Sequence, residues 1–464
     1  MKPIKEDVLW GSYYSACDSM CPPASVKNIF MLGLNDFNHQ KLKSLKNFEH
    51  YRFYGLIPPE EAEDVEEYDI KAMLDDLELK LNTFNGSVDS ICTYIDFPMS
   101  MMTPILRPKY GLPSPSLESI VKSQHKYWSR VEQKKVVPDN IPKFCKVNPF
   151  ADDPFATVDI PFPFWVKPIK SVGSYLGFHI KNRKEFDRVM GVVRQHIGRM
   201  AGPFNYILDQ TDMPDDLREV DGRWCIAEQL IGGRQCTLEG YMFHGKLHIH
   251  GVVDSIRHSN RSSFSHYDYP SMLPKSVQER MTNISKKVLK QIGYDNHPFN
   301  IEFFWNKSTD KIWLLEINTR ISQSHSDLFE KVDGTSNHQV TVELSLNHDP
   351  KFPYRKGQYK RASKFFYRKW EDAIVKRIPT PAEIAAIEND IPGVLVDVKV
   401  HEGQRLNDMF EQDSYSYELA WIFIGADSHR EIMQKHKECI GRLHFEFDPV
   451  SNDQPVGQKI ETTS

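Results

Sequence analysis

Apolar positions recur along this chain at two spacings, and the order in which the spacings alternate is informative. Val26 to Leu32 and Tyr51 to Ile57 read as strands, with a short helical stretch near Gln40 between them. Ile70, Met73, Leu74, Leu77 and Leu81 then keep the spacing of one helix face. Ser87 to Ile95 returns to strand. This β-α-β-α-β order predicts a small parallel sheet, because parallel strands need crossover connections. Gly33-Leu-Asn-Asp-Phe-Asn38 lacks a dinucleotide fingerprint, so no NAD site is assigned. The acidic run Glu60 to Glu67 reads as a solvated loop.

Further along, Pro138 to Pro163 is proline-rich. An apolar strand, Phe162 to Val166, ends in Lys167. The small-residue loop Ser171-Val-Gly173-Ser174-Tyr-Leu-Gly177 follows, then a strand to Ile180. Trp224 to Glu228 is a strand that meets the turn Ile231-Gly-Gly-Arg-Gln235. Val277, Met281, Ile284, Val288 and Ile292 mark an amphipathic helix with Gly293 as its C-cap. Val394, Val396, Val398 and Val400 alternate as a strand, Leu419 to Ile424 is another, and Ser428 to Ile440 is a helix. No internal repeat is present.

The chemistry concentrates between Asn300 and Arg320. Two alternating strands flank a polar turn, Asn306 to Lys311. Residues two apart on a strand share a face, so Glu316 and Asn318 point the same way, and hairpin pairing brings Glu302 to them. Two carboxylates and one amide are hard oxygen donors suited to Mg²⁺ with substrate phosphates. Arg320 can grip a phosphate or carboxylate through two parallel hydrogen bonds. A solvated acidic face is the plain alternative, but these residues interrupt strongly apolar strands, and buried charges are normally paired or bound to metals. The Lys167 to Gly177 segment suits a phosphate, since glycines let backbone N–H groups approach closely; it equally suits a hairpin turn. The Glu228 to Gln235 turn can present backbone to an adenine edge or simply connect two strands.

Taken in this order, the motifs resemble the ATP-grasp superfamily of carboxylate–amine ligases, in its biotin-carboxylase-like and L-amino acid ligase branch. The resemblance spans most of the chain and includes Tyr94-Ile-Asp96, Tyr110-Gly-Leu-Pro-Ser-Pro-Ser116 and His125-Lys126-Tyr-Trp-Ser-Arg130. It implies an α/β fold with α+β elements. Residues 1–120 would form an N-terminal Rossmann-like parallel-sheet domain, and 121–226 a linker helix and mobile lid. Residues 227–350 would form an antiparallel-sheet core with the Mg/ATP site, and 351–464 a small C-terminal α/β domain. It implies that Lys126, Lys167, Ser171, Gly173 and Ser174 bind the phosphates, and that Glu228, Gln229 and Ile231 hold adenine. Gln235 stands where the family often has a ribose-binding glutamate. Glu302, Glu316 and Asn318 match the metal ligands, with two Mg²⁺ or Mn²⁺ ions per site. Arg320 and Lys167 match the groups that steady the acyl phosphate formed from ATP before an amine displaces phosphate.

Biotin carboxylases continue past this arginine with a catalytic glutamate; here Ser324 holds that position, which argues against bicarbonate activation. A carboxylating enzyme and a non-catalytic ATP-binding protein are the rival readings. Arg257 and His258, in the loop from Asp254 to Tyr269, are candidates for contacting substrate, as are Ser324 and His325. Alternation of His244, His248 and His250 suggests zinc, but no Cys or Asp completes a recognisable spacing, so a surface strand face is expected.

Composition adds exclusions. At 464 residues and 40% hydrophobic, the chain should divide into several subdomains with substantial cores. A net charge of −5 offers no argument for nucleic acid. No apolar stretch reaches bilayer length, and the N-terminus lacks an apolar signal core. The seven cysteines form no metal pattern, Cys17 and Cys21 being a weak pair, and free thiols fit a cytoplasmic protein. The expected partners are a small-molecule carboxylate and an amine. Related enzymes are often dimers, so a homodimer is allowed.

Overall fold

The computed structural model describes residues 10–13, 26–63, 65–173, 175–258, 263–409 and 416–450. Cys17, Cys21 and Ser174 lie outside the described residues.

The first sheet has the order Trp10–Tyr13, Tyr51–Ile57, Lys27–Leu32, Ser90–Cys92. Its last three strands are parallel, as the alternation of strand and helix predicts, and Trp10–Tyr13 adds an antiparallel edge. The crossover helix Ile70–Thr83 buries Ile70, Leu74, Leu77 and Leu81, and Asp69 caps it by accepting from the Ala72 N–H. The Ser87 to Ile95 strand is shorter than its apolar run suggests. After Cys92 the Thr93 hydroxyl accepts from the Ile95 N–H and turns the chain toward Asp96.

A second sheet, Phe144–Val147, Cys225–Gln229, Phe164–Pro168, Phe178–Ile180, is antiparallel throughout. It has its own core, in which Phe164, Val166, Phe186, Val189 and Val193 are buried together. Met200, Phe204, Ile207, Leu217 and Val220, on the segment that follows, pack instead into the main core beside the N-terminal sheet. Within residues 121–226, therefore, the separately packed layer is narrower than the segment.

The third sheet is the largest. Its order is Lys311–Asn318, His297–Asn306, Arg234–Phe243, Lys246–Arg257, Phe264–Tyr269, Arg361–Lys369, Tyr417–Ala426, Val394–Val398, all antiparallel neighbours. The sheet runs without a break across residue 350, so three strands from the C-terminal region extend the core sheet. The helix Gln323–Asp333 covers one of its faces and ends at Gly334 in the left-handed conformation. A buried ion pair, Lys41 Nζ to Asp327 at 2.6 Å with Glu330 at 3.0 Å, fastens this helix to the N-terminal unit.

The expected surface face at His244, His248 and His250 is only partly one. His248 stacks on Tyr241 at 4.7 Å, while the His250 side chain is buried against Glu239 and Phe329. Among the described residues, no helix is long and apolar enough to cross a membrane.

Candidate functional site

The hairpin His297–Asn306 and Lys311–Asn318 brings the oxygen donors together. Asn300 pairs with Asn318 and Glu302 with Glu316. The register then shifts, Phe303 pairing with Leu314, so Leu315 is an extra residue in a β-bulge. The bulge changes which side chains share a face. Ile312, Leu314 and Ile317 all reach the core although Leu314 and Ile317 differ in parity. Glu316 and Asn318 are thereby aimed at the site beside Glu302.

Arg130, on the helix Lys126–Val136, supports the bulge. Its guanidinium donates to the carbonyls of Leu314 at 3.1 Å and Leu315 at 2.7 Å. It also donates from Nε to Glu228 at 2.6 Å. The other Glu228 oxygen holds Lys167 Nζ at 2.8 Å. Burial pushes the Glu228 carboxyl up, but the two cations outweigh it and hold it at about 2. Its carboxylate is thus engaged by the protein and sits 4% exposed, while Gln229 and Leu230 beside it are exposed and Ile231 is half-buried. Gly233 lets the next turn pass close to the hairpin. Its φ is +139°, and a Cβ there would lie 2.4 Å from the Trp305 carbonyl oxygen.

Three lysines share one field. Lys126 Nζ donates to the Ser171 carbonyl at 3.0 Å, which draws the small-residue loop toward the helix. Burial, opposed by nearby Glu316 and reinforced by Lys170 and Lys167, lowers the Lys126 ammonium to about 8. Lys170 is 3% exposed and donates to Gln124 at 2.6 Å. It also lies 3.4 Å from Asp96, and the second Asp96 oxygen pairs with Arg320 Nη2 at 2.9 Å. Lys170 and Arg320 hold the Asp96 carboxyl well below its ordinary range, against the effect of burial. Gly173 is exposed at the tip of the loop.

Gln235 lies 4% exposed between two charges. Its amide nitrogen donates to Glu302 at 2.8 Å, and its oxygen accepts from Arg257 Nη2 at 2.8 Å. Burial and the neighbouring Glu316 raise the Glu302 carboxyl. Two carboxylates that repel each other beside an amide oxygen suit a hard divalent cation, so the donor chemistry fits Mg²⁺. Among the described residues no group of three or more His, Cys, Asp or Glu is gathered for a metal; this set is two carboxylates and an amide.

The remaining candidates separate. His258 packs edge-on to Trp370 at 5.2 Å. Ser324 accepts from the buried Lys364 Nζ at 2.7 Å, and Lys364 sits 3.2 Å from the Trp421 ring centroid. His325 pairs at 2.6 Å with Glu239, the residue in register with Asn300 on the neighbouring strand.

Residues 160–326 match the family model of the ATP-grasp domain. That stretch is an ATP-grasp domain. The fold of the chain is that of the L-amino acid ligase from Bacillus licheniformis, with a TM-score of 0.70 at 16% identity, covering 91% of this chain and 99% of that one. Phosphoribosylglycinamide synthetase from Anaerococcus prevotii superposes with a TM-score of 0.60 at 14% identity, covering 91% and 100%. The biotin carboxylase domain of the Hydrogenobacter thermophilus 2-oxoglutarate carboxylase, solved with MgADP and bicarbonate, gives 0.60 at 13% identity, covering 91% of each chain. No curated protein matches the sequence. At these identities the superpositions establish the ATP-grasp fold.

Four groups of this candidate site carry little signal of their own in the sequence: Asp96, Arg130, Lys170 and Glu239. Arg130 and Asp96 lie inside motifs quoted above, and Lys170 follows Lys167 by three residues. Glu239 carries no local signal beyond being a carboxylate in an apolar strand.

Proposed function

We propose that this protein is an ATP-dependent carboxylate–amine ligase acting on a small molecule, an amino acid or related acid, and releasing ADP and phosphate. The observation that carries the reading is the pairing of Glu302 with Glu316 and Asn300 with Asn318, facing a field of three lysines and Arg320. Glu302, Glu316 and the Asn318 oxygen would hold Mg²⁺, which when bound would neutralise charge on the transferring phosphoryl group.

The chain's own groups do the rest. Lys126 and Lys167 meet the phosphate oxygens, and a phosphate beside Lys126 restores the proton that burial disfavours. The substrate carboxylate oxygen attacks the γ-phosphorus as the bond to ADP breaks. Arg320, freed from Asp96, steadies the resulting acyl phosphate. The amine nitrogen then bonds to the acyl carbon, phosphate leaves with the electrons of the C–O bond, and the proton that nitrogen sheds passes to the departing phosphate. Lys167 and the loop it precedes lie on the small sheet, which can exclude water from this intermediate. Gln229 and Ile231 offer backbone to adenine, whereas the Glu228 side chain serves as the counter-ion of Lys167. Ser324, bound to Lys364 in place of a carboxylate, supports an amine acceptor over bicarbonate.

The test is release of ADP and phosphate from Mg-ATP with pooled amino acids and small carboxylates, products being identified by mass spectrometry. A new amide is expected, with turnover lost in Glu316→Ala and Lys167→Ala. Full turnover in those variants would remove the site assignment. Bicarbonate-dependent ADP formation without an amine would favour carboxylation. Nucleotide binding with no turnover on any pool would favour a non-catalytic binder.

A further inference from the structure

Glu239 lies beside Asn300 on the neighbouring strand and is 0% exposed. Its carboxylate is surrounded by donors. His325 Nδ1 lies at 2.6 Å and Asn300 Nδ2 at 3.1 Å from Oε1, and Asn337 Nδ2 at 3.0 Å from Oε2. The His250 ring approaches Oε2 at 3.6 Å. Burial pushes this carboxyl up, but the neighbouring His250 and His325 bring it down to about 2, so it is an ionised, acceptor-only group.

An amide has a donor end and an acceptor end that fit a site almost equally in shape, so its neighbours decide which way it points. Facing Glu239, Asn300 must turn its NH₂ toward the carboxylate. Its oxygen then faces the other way and accepts from Asn318 Nδ2 at 3.3 Å. The same Asn318 nitrogen donates to Glu302 Oε1 at 3.3 Å. With its NH₂ committed twice, Asn318 leaves its oxygen for the site. Reversing Asn318 would set its oxygen against two acceptors and present NH₂ groups to a cation. Asn337 also donates to the Ser322 carbonyl at 2.9 Å, in the connection that follows Arg320.

We propose that Glu239 is a positioning residue whose buried negative charge, relayed through the Asn300 amide, fixes the Asn318 oxygen toward the bound divalent cation. This rests on the assignment of Glu302, Glu316 and Asn318 to that cation. Glu239 touches neither metal nor substrate. It sets the polarity of a ligand two links away, in the way that outer partners orient metal ligands and typically alter affinity by about 10–100-fold.

Polarity, unlike packing, can be inverted and restored. Glu239→Gln removes the charge, and its NH₂ must then face a donor, either Asn337 or Asn300. Asn300→Asp places an acceptor against the Glu239 carboxylate. Together the changes are compatible: the amide introduced at position 239 would donate to the carboxylate introduced at position 300, which still accepts from Asn318. His325, held neutral by burial, can change tautomer to accept at Nδ1.

The experiment compares ADP affinity in EDTA, by calorimetry, with the affinity of Mn²⁺–ADP, by electron paramagnetic resonance, on the full-length protein. For each single variant the affinity gained through the metal should fall about tenfold or more, while metal-free ADP binding holds. The Glu239→Gln/Asn300→Asp double variant should return to within about threefold of the wild type. If the wild type gains nothing from Mn²⁺, the metal-site assignment fails. If the wild type gains but a folded Glu239→Gln keeps that gain, or the folded double variant binds metal no better than the singles, the relay is wrong and the assignment survives. Should a single variant fail to fold, recovery of metal-dependent binding in the double variant decides the matter in the same two directions.

Discussion

Replacing Glu228 by Gln isolates the link between the small sheet and the hairpin that carries Glu302 and Glu316. The substitution keeps the shape and removes the charge, leaving Arg130 and Lys167 together with no counter-ion between them. In the wild type the carboxyl is held at about 2 against an ordinary 4.5. A difference of that size, at about 1.4 kcal/mol per unit, corresponds to about 3 kcal/mol favouring the ionised folded state. Breaking a buried pair by removing one partner costs a similar ~3–5 kcal/mol.

The sign of the pH dependence follows from the depressed value. The contribution is fully present above the unfolded carboxyl value and is lost as pH falls toward the folded one. Urea unfolding at pH 7 should therefore show the variant less stable by about 3 kcal/mol. The gap should stay constant down to about pH 5 and narrow to about 2 kcal/mol near pH 3.5. Because the same carboxylate holds Lys167, nucleotide affinity should also fall. Equal stability at pH 7, or a gap that widens on acidification, would refute the view that Glu228 is an ionised bridge between the two cations.

Two other outcomes follow from the site. ADP affinity should drop about tenfold between pH 7 and pH 9, because the free protein loses the Lys126 proton near 8 and must regain it to meet a phosphate; calorimetry on wild type and Lys126→Arg tests this, a flat profile being expected in the variant. Gly233→Ala should destabilise the protein by about 2 kcal/mol or more in urea titrations, since its φ is strained for any side chain and the obstructing atoms are the Trp305 and Asn306 backbone.

Much of this architecture was legible because local pattern and global fold agree. The turn at Asn306 to Lys311 lies where the polar residues predict, and parity placed Glu316 and Asn318 on one face. What parity could not reveal was the bulge at Leu315. A period of two cannot register an extra residue, although the adjacent apolar pair Leu314 and Leu315 marks the spot. Distant charge pairs were equally unreadable. Nothing near Arg320 points to Asp96, and nothing near Ser324 points to Lys364, because such partners meet only after the sheet has formed. Glu228 shows the same limit from another side. Its strand and turn suit an adenine hinge in the sequence, and its carboxylate faces inward between two cations. Whether a residue lies on the right strand is a local question; which neighbour claims its side chain is not.

The unbroken eight-stranded sheet bears on how this protein could have been assembled or taken apart. Arg361–Lys369 pairs along Phe264–Tyr269, which carries Tyr267 close to the Glu302 field. Ending the chain near residue 350 would uncover that strand's backbone along its length. An exposed, aromatic-rich edge is a template for pairing with other chains. The C-terminal region is therefore a seal as well as an extension, and the part of the chain before residue 350 could not be exchanged between proteins as a free module without some other means of closing that edge.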